Sequence, residues 1–147
     1  SEKRLRRIQD NLDRLNLRSV RLQKIERDGS GIPAGPFDAV LVDAPCSNTG
    51  VLHRRPEARW RFSRDSQREL TTIQHSLLNS AADRVNAGGR LLYSTCSIET
   101  EENQEVVKQF LQTDSRFTLH REQFFAPGDP ADGGYQALMY RCAVPQI

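Results

Sequence analysis

The sequence contains little of what marks a secreted, membrane-spanning or metal-binding protein. Its 147 residues include only three cysteines, an odd and sparse set that argues against a disulfide framework and for a reducing compartment. No apolar run approaches the roughly 18 residues that span a bilayer, and the start of the chain is too charged for a signal peptide. No two cysteines have the close spacing of a zinc site. We therefore expect a cytoplasmic protein that needs neither a metal nor a membrane.

An excess of charge of one sign is also missing. Lys and Arg number 21 against 19 Asp and Glu, so the formal net charge of +2 does not by itself indicate a nucleic-acid partner. Apolar residues make up 37% of the chain and charged residues 27%, a composition that excludes disorder as the main state. The length fits a single domain.

Predicted strands alternate with predicted helices along the chain. Apolar periodicity and turn signals predict helices over residues 1–17, over residues 66–85 and from about residue 99, and strands over residues 20–23, 37–42, 91–95, 117–119 and 135–143. Gly88 and Gly89 are expected to stop the second helix. This alternation predicts an α/β fold with a mostly parallel sheet, in which the last two strands form an antiparallel pair.

Thiols follow two of the predicted strands. Asp43 and Cys46 come directly after the strand at residues 37–42, and Cys96 follows the strand at residues 91–95. Ligands bind at the carboxyl ends of strands in open α/β sheets, so both thiols and the carboxylate converge on one crevice if these strands are neighbours. The alternative is that both cysteines are packing residues, which is the role we expect for Cys142 in the last strand.

Four motifs surround these cysteines: Asp-Ala-Pro-Cys-Ser at 43–47, Thr-Gly-Val-Leu at 49–52, Arg-Arg-Pro-Glu-Ala-Arg-Trp at 54–60, and Tyr-Ser-Thr-Cys-Ser-Ile at 93–98. With them the sequence resembles the bacterial RNA cytosine-C5 methyltransferases, in particular the Sun-type enzymes that act on small-subunit rRNA. The resemblance covers nearly the whole chain. One departure is Asn48, which stands where the family more usually has Gly.

The resemblance implies a Rossmann-like sheet, mostly parallel with a reversed edge strand, and S-adenosyl-L-methionine as the cofactor. It also implies catalytic roles for Cys96, as the nucleophile that adds to C6 of cytosine, and for Cys46, which assists release of the methylated product. Such an adduct activates C5, which is otherwise a poor nucleophile. The opposite assignment stays open, because the DNA cytosine-C5 enzymes use the cysteine of a Pro-Cys motif.

Two acidic residues are candidate contacts of the cofactor. By resemblance, Asp43 fixes the edge of the pyrimidine and lies against S-adenosylmethionine, and Asp28 contacts the adenine end of that cofactor. The alternative for Asp43 is a cap on the following turn, and the alternative for Asp28 is an ordinary turn residue before Gly29.

Basic residues cluster with aromatic residues after the first cysteine motif. Arg54, Arg55, Arg59 and Arg61 are interleaved with Trp60, a combination that suits a phosphate backbone and unstacked bases. We therefore predict that these arginines bind RNA. The alternative is a solvated loop whose tryptophan packs on the core.

The same resemblance predicts that residues 1–147 are the C-terminal portion of a catalytic domain. A methyltransferase of this class needs a first strand with a Gly-rich loop and an acidic residue after the second strand, and neither is present. We expect the sheet to be incomplete at its N-terminal side and these residues alone to be inactive. The alternatives are a catalytically silent RNA-binding module, and an enzyme that modifies tRNA rather than rRNA.

Overall fold

The computed structural model describes residues 2–26, 31–128 and 131–143. The chain divides into two compact units, Ser1–Ala34 and Gly35–Ile147. No helix among the residues described is long and apolar enough to cross a membrane.

The described part of the first unit contains one helix, α1 (Glu2–Arg14), close to the predicted position. Its apolar residues recur three or four positions apart; Leu12 is buried, whereas Ile8 is 44% exposed. Residues 17–26 form neither helix nor strand, so the predicted strand at 20–23 is wrong. A short alternating run becomes a strand only where a neighbouring strand and a buried face receive it, and Val20 is exposed.

The described part of the second unit contains a four-stranded sheet and three helices. In chain order these elements are β1 (Phe37–Asp43), α2 (Ala58–Arg61), α3 (Arg64–Ala82), β2 (Val85–Thr95), α4 (Gln104–Thr113), β3 (Phe117–Phe125) and β4 (Gly134–Arg141). Short 3-10 turns lie at Thr49–Val51 and Thr100–Glu102. The second turn occupies the position at which the third helix was expected to begin, so α4 starts a few residues later than predicted.

The sheet confirms the predicted α/β class. Its strand order is β1-β2-β4-β3, in which β1 and β2 run parallel and β4 runs antiparallel to both of its neighbours. The reversed strand therefore lies one position in from the edge and not at the edge as expected, because β4 inserts between β2 and β3; β3 and β4 form the expected antiparallel pair. Because β1 and β2 are parallel neighbours, their carboxyl ends meet at the same end of the sheet.

One face of the sheet packs against α3 and α4 and forms the core. Alternate residues of β2 and β4 point to this face: Leu91 pairs with Met139 and Tyr93 pairs with Ala137, and all four are buried. The helices contribute Leu78, Ala82, Val106, Val107 and Phe110 to the same cluster.

The opposite face of the sheet is more open. Leu41, Leu92 and Leu138 lie side by side across β1, β2 and β4. Leu41 is 61% exposed. The strand β1 therefore has an apolar residue that nothing in the described part of the second unit covers.

The ends of α3 differ from the prediction for identifiable reasons. The helix begins at Arg64 because Ser63 and Ser66 form a capping box. The Ser63 hydroxyl accepts from the Ser66 backbone N–H, and the Ser66 hydroxyl accepts from the Ser63 backbone N–H. It ends at Ala82, before the glycines that were expected to stop it. Gly88 and Gly89 lie instead inside β2, where Gly88 has φ 77° and the ladder with β1 shifts register. A pair of glycines here builds a bulge rather than a helix end.

Candidate active site

The carboxyl ends of β1 and β2 carry the two thiols that were expected to converge. Asp43 pairs with Ser94 in the parallel ladder, so the segments that follow the two strands leave the sheet side by side. The Sγ atoms of Cys46 and Cys96 lie 3.1 Å apart, and both side chains are half-buried. The structure thus joins two cysteines that are 50 positions apart in the sequence.

The contact between the two sulfurs makes the thiols unequal. The hydrogen bond with Cys46 lowers the pKa of the Cys96 thiol to about 7; burial and the Asp43 carboxylate oppose this shift, whereas the Arg55 guanidinium adds to it. The same hydrogen bond, together with burial, raises the pKa of the Cys46 thiol. Cys96 is therefore the thiol that ionises first, and Cys46 stays protonated as its hydrogen-bond donor.

Asn48 connects the two cysteine segments. Its Nδ2 donates to the Cys46 carbonyl oxygen at 2.8 Å, and its Oδ1 accepts from Cys96 Sγ at 3.3 Å when that group is a thiol. The backbone of Asn48 has φ 62° and ψ 24°, in the left-handed region that Gly and Asn adopt most readily. This conformation explains how Asn48 replaces the Gly that the resemblance predicts here, since both residue types suit the turn.

A buried carboxylate, that of Glu102, forms hydrogen bonds with both cysteine segments. Glu102 is fully buried, and its Oε2 accepts from the Ser47 backbone N–H at 2.9 Å and from Gln74 Nε2 at 3.0 Å. Its Oε1 accepts from the Ser97 hydroxyl at 3.1 Å. One side chain thus holds the residue after Cys46, the residue after Cys96, and the middle of α3.

The sequence analysis did not identify Glu102, because an acidic residue near the start of a predicted helix is most simply explained by the helix dipole. Gln74 gave the only available signal, because it is a polar residue within the apolar stripe of α3 and is fully buried. Asn103 continues the network: it accepts from the Thr95 hydroxyl at 2.6 Å and donates to the Ser97 carbonyl oxygen at 2.9 Å. Buried polar groups with several partners each fix side chains in one geometry.

Two glycines allow the loops at the site to approach each other closely. The Gly50 N–H donates to the Cys96 carbonyl oxygen at 3.0 Å, and the Gly133 N–H donates to the Gly50 carbonyl oxygen at 2.9 Å. A Cβ atom on Gly50 would stand 2.3 Å from the Gly133 carbonyl oxygen. The segment after β1 is therefore fixed between the end of β2 and the start of β4.

A cavity of about 300 Å³ opens beside Cys46, and Arg55, Glu57, Arg61 and Phe62 lie in its wall. A larger cavity of about 510 Å³ lies between α3 and α4, but neither cysteine lines it. We regard the smaller cavity as the candidate site because it holds a thiol of the cysteine pair, and size alone does not indicate chemistry.

The predicted arginine cluster divides into separate parts. Arg55 and Arg61 line the cavity beside Cys46, whereas Arg54 pairs with Asp132 at 3.3 Å, and Arg59 is exposed outside this cavity. Trp60 is 86% exposed. The alternative in which this tryptophan packs on the core is therefore wrong.

The remaining candidate residues are Asp43, Asp28 and Cys142. Asp43 is exposed at the carboxyl end of β1, near enough to Cys96 to influence its pKa. Asp28 lies outside the described residues. Cys142 is exposed, so the expectation that it belongs to the core is wrong: β4 ends at Arg141, and the next residue is no longer on the buried face. The described residues contain no group of three or more His, Cys, Asp or Glu side chains that could hold a metal ion.

Comparison with known proteins gives consistent matches. Residues 1–143 match the model of the 16S rRNA methyltransferase RsmB/F family. The chain is 38% identical over 143 residues to ribosomal RNA small subunit methyltransferase B of Klebsiella pneumoniae (strain 342), covering 93% of this chain and 31% of that protein. It thus spans about a third of the length of such curated relatives.

Solved structures support the same fold. A methyltransferase homolog protein from Pyrococcus horikoshii superimposes with a TM-score of 0.80 at 26% identity, covering 96% of this chain and 51% of that one. NSun6 from Pyrococcus horikoshii, solved with SFG, superimposes with a TM-score of 0.84 at 24% identity, covering 98% of this chain and 40% of that one.

Proposed function

Because the chain belongs to the 16S rRNA methyltransferase RsmB/F family, we propose that it carries the thiol chemistry of an enzyme that methylates C5 of a cytosine in RNA. The proposed substrate is small-subunit rRNA, after which these relatives are named, and the proposed location is the cytoplasm. The observation that carries the proposal is the 3.1 Å contact between Cys46 and Cys96 at neighbouring strand ends. Methylation of a nitrogen atom needs no thiol, whereas methylation of C5 is difficult without one.

In the proposed mechanism the Cys96 thiolate adds to C6 of the cytosine. The addition moves electron density to C5, which then becomes nucleophilic enough to take a methyl group. The lowered pKa of Cys96, about 7, favours this residue over Cys46, because the thiolate is the reactive form. The base has to leave its stack or helix to reach Cys96, so the RNA segment around it is opened or single-stranded.

Cys46 is suited to a step that follows methyl transfer. Its raised pKa keeps it protonated next to the Cys96 sulfur. Release of the product requires C5 to lose its proton and the bond between Cys96 and C6 to break. We propose that Cys46 assists this release by passing its own proton to the departing Cys96 sulfur, after which the Cys46 thiolate takes up the proton that C5 loses.

One described residue, Asp43, suits a cationic cofactor. S-adenosylmethionine supplies an electrophilic methyl group when it is bound. The NSun6 structure was solved with SFG, an analogue of this cofactor. Asp43 has an exposed carboxylate beside the thiols, and no salt bridge in the described part of the chain involves it. A free carboxylate attracts a sulfonium or an amino group. We propose that Asp43 contacts the cofactor and the pyrimidine edge, and that Asp28 contacts the adenine end.

We propose that the RNA backbone approaches over the cavity beside Cys46. Arg55 and Arg61 line this cavity, so their guanidinium groups are available to phosphates near the reacting base. Arg59 is exposed and extends the basic surface, and Arg54 joins it if the RNA displaces Asp132. Charge reversal of Arg55 and Arg61 to Glu should weaken RNA binding and flatten its salt dependence. Each reversal is compared singly with Arg121→Glu, at an exposed position on β3, which makes the same change of charge.

We further propose that these residues form the C-terminal portion of the catalytic domain, and that turnover needs the Gly-rich loop and the first strands of a longer protein. A silent RNA-binding module is the competing function, and tRNA is the competing substrate.

RNA containing 5-fluorocytosine distinguishes these alternatives from the proposed function, because fluorine at C5 blocks release and traps the covalent adduct. We expect the full-length protein to form this adduct on rRNA, Cys142→Ser to retain it, and Cys96→Ala to lose it. An adduct that persists in Cys96→Ala would assign the attack to Cys46 instead.

A further inference from the structure

The two sulfurs of the site are already close to bonding distance. A disulfide bond measures about 2.05 Å, so the 3.1 Å separation of Cys46 Sγ and Cys96 Sγ has to shrink by only about 1 Å. The backbone also brings the two segments together. The Ala44 N–H donates to the Ser94 carbonyl oxygen at 2.9 Å, and each cysteine follows this hydrogen bond by two residues.

The pair is accessible, and the third thiol is not in competition. Cys96, the thiol that the peroxide has to reach, is only partly buried, and Cys46 beside it lies in the wall of a cavity of about 300 Å³. Cys142 follows the far end of β4, seven residues beyond Tyr135, which pairs with Thr95 next to the site. At about 3.3 Å per residue, this places Cys142 on the order of 20 Å from the pair along the strand.

We propose that Cys46 and Cys96 form a dithiol–disulfide couple that hydroperoxides oxidise, a modification site that withdraws both thiols from RNA methylation when closed. The closure itself stands on the geometry of the pair, and its effect on methylation rests on the function proposed above. The lowered pKa of Cys96 supports the couple, because thiolates react with peroxides and thiols do not.

The oxidation is balanced in two steps. The Cys96 thiolate attacks one peroxide oxygen; an S–O bond forms, the O–O bond breaks, and the other oxygen leaves as water or an alcohol after taking up a proton. Cys46 then attacks the Cys96 sulfur; an S–S bond forms, the S–O bond breaks, and the hydroxide leaves as water with the Cys46 proton. The two thiols lose two electrons in total, and the hydroperoxide gains them. A dithiol reductant reverses the change.

The couple is tested on the reduced full-length protein with hydrogen peroxide at equimolar concentration. Free thiols are then alkylated, and the products are mapped by mass spectrometry. We expect a peptide pair linked through Cys46 and Cys96, a loss of two hydrogen atoms from the intact mass, full alkylation of Cys142, and reversal by dithiothreitol. Cys142→Ser should behave identically, because the third thiol takes no part.

A matched variant identifies the role of the second thiol. In Cys46→Ser, Cys96 has no partner, so oxygen additions at Cys96 should accumulate in place of the linked peptides. The proposal is overturned if the unmodified sequence also accumulates oxygen additions at Cys96 without a linkage, or if its disulfides involve Cys142 or join two chains.

A separate measurement distinguishes this proposal from the proposed function. Oxidised and re-reduced full-length protein is mixed with RNA containing 5-fluorocytosine. We expect the oxidised form to give no adduct and the re-reduced form to recover it. Linked Cys46 and Cys96 peptides in a protein that never forms the adduct would overturn the methyltransferase proposal and support the couple. An adduct in a protein whose Cys46 and Cys96 peptides never become linked would overturn the couple and support the methyltransferase proposal.

Discussion

The buried carboxylate of Glu102 is the contact whose loss should disturb the site most. It accepts hydrogen bonds from the Ser47 N–H, Gln74 Nε2 and the Ser97 hydroxyl, and no other side chain in the described residues contacts all three. Each buried donor left unpaired costs about 1–3 kcal/mol, so Glu102→Ala should cost roughly 3–9 kcal/mol. Because a domain of this size has only about 5–15 kcal/mol of stability, this variant endangers folding itself.

Glu102→Gln is the sharper perturbation because it keeps the shape and one acceptor oxygen. The amide oxygen can still accept from Ser47 and Gln74, but the bonds lose the assistance of the charge, and the amide group now faces the Ser97 hydroxyl. Bonds to charged groups contribute about 1.5–3 kcal/mol and neutral ones about 0.5–1.5 kcal/mol. The smaller desolvation cost of the amide offsets part of this difference, so we expect a loss of about 1–3 kcal/mol.

The assay is urea unfolding followed by circular dichroism, because Trp60 is 86% exposed and its fluorescence reports poorly on burial. With a slope of about 1–3 kcal/mol per molar urea, Glu102→Gln should lower the midpoint by roughly 1 M. Glu101→Gln is the matched control: it removes the same charge from the adjacent, exposed position and should change stability by less than about 0.5 kcal/mol. Equal midpoints for the two variants would refute the reasoning.

Three further predictions concern the same loops. Gly50→Ala should destabilise the protein by about 1–3 kcal/mol or more, because its Cβ would stand 2.3 Å from a backbone oxygen; an unchanged melting temperature contradicts this. Asn48→Val should be about 1–2 kcal/mol less stable than Asn48→Gly in chemical unfolding, since φ 62° disfavours a branched side chain. Alkylation of Cys96 by iodoacetamide should accelerate as pH rises through about 7 and level off above it, and Cys46→Ala should move this midpoint upward; a midpoint near the ordinary thiol value in both proteins would exclude the hydrogen bond as the cause.

The sequence was sufficient to predict the features that depend on local pattern and on general rules of α/β sheets. The convergence of Cys46 and Cys96 followed from their positions after two strands, because parallel strands end together. The final antiparallel pair followed from a strand, a loop and a strand at the end of the chain. The strand at residues 20–23 failed because a short alternating run carries no information about a partner.

Other features could not be predicted because they depend on contacts between distant residues. Glu102 is buried only because Ser47, Gln74 and Ser97 satisfy its oxygens, and its contact with Ser47 spans 55 positions. A local pattern therefore gives an acidic residue of this kind the more common role at a helix start. Gly88 was equally ambiguous, since a left-handed glycine ends helices and builds bulges alike, and only the pairing with β1 distinguishes them.

The open side of β1 has a consequence for the motions of the site. In the described part of the chain β2 is hydrogen-bonded on both edges, whereas β1 is bonded only to β2. In the 147-residue chain by itself, amide hydrogens on the free edge of β1 should exchange with solvent quickly, and opening of this strand should cost less free energy than opening of β2. The Cys96 segment is thus attached to a strand that is hydrogen-bonded on both edges, and the Cys46 segment to one that separates more readily. Fluctuations in the sulfur–sulfur distance should therefore come mainly from the Cys46 side.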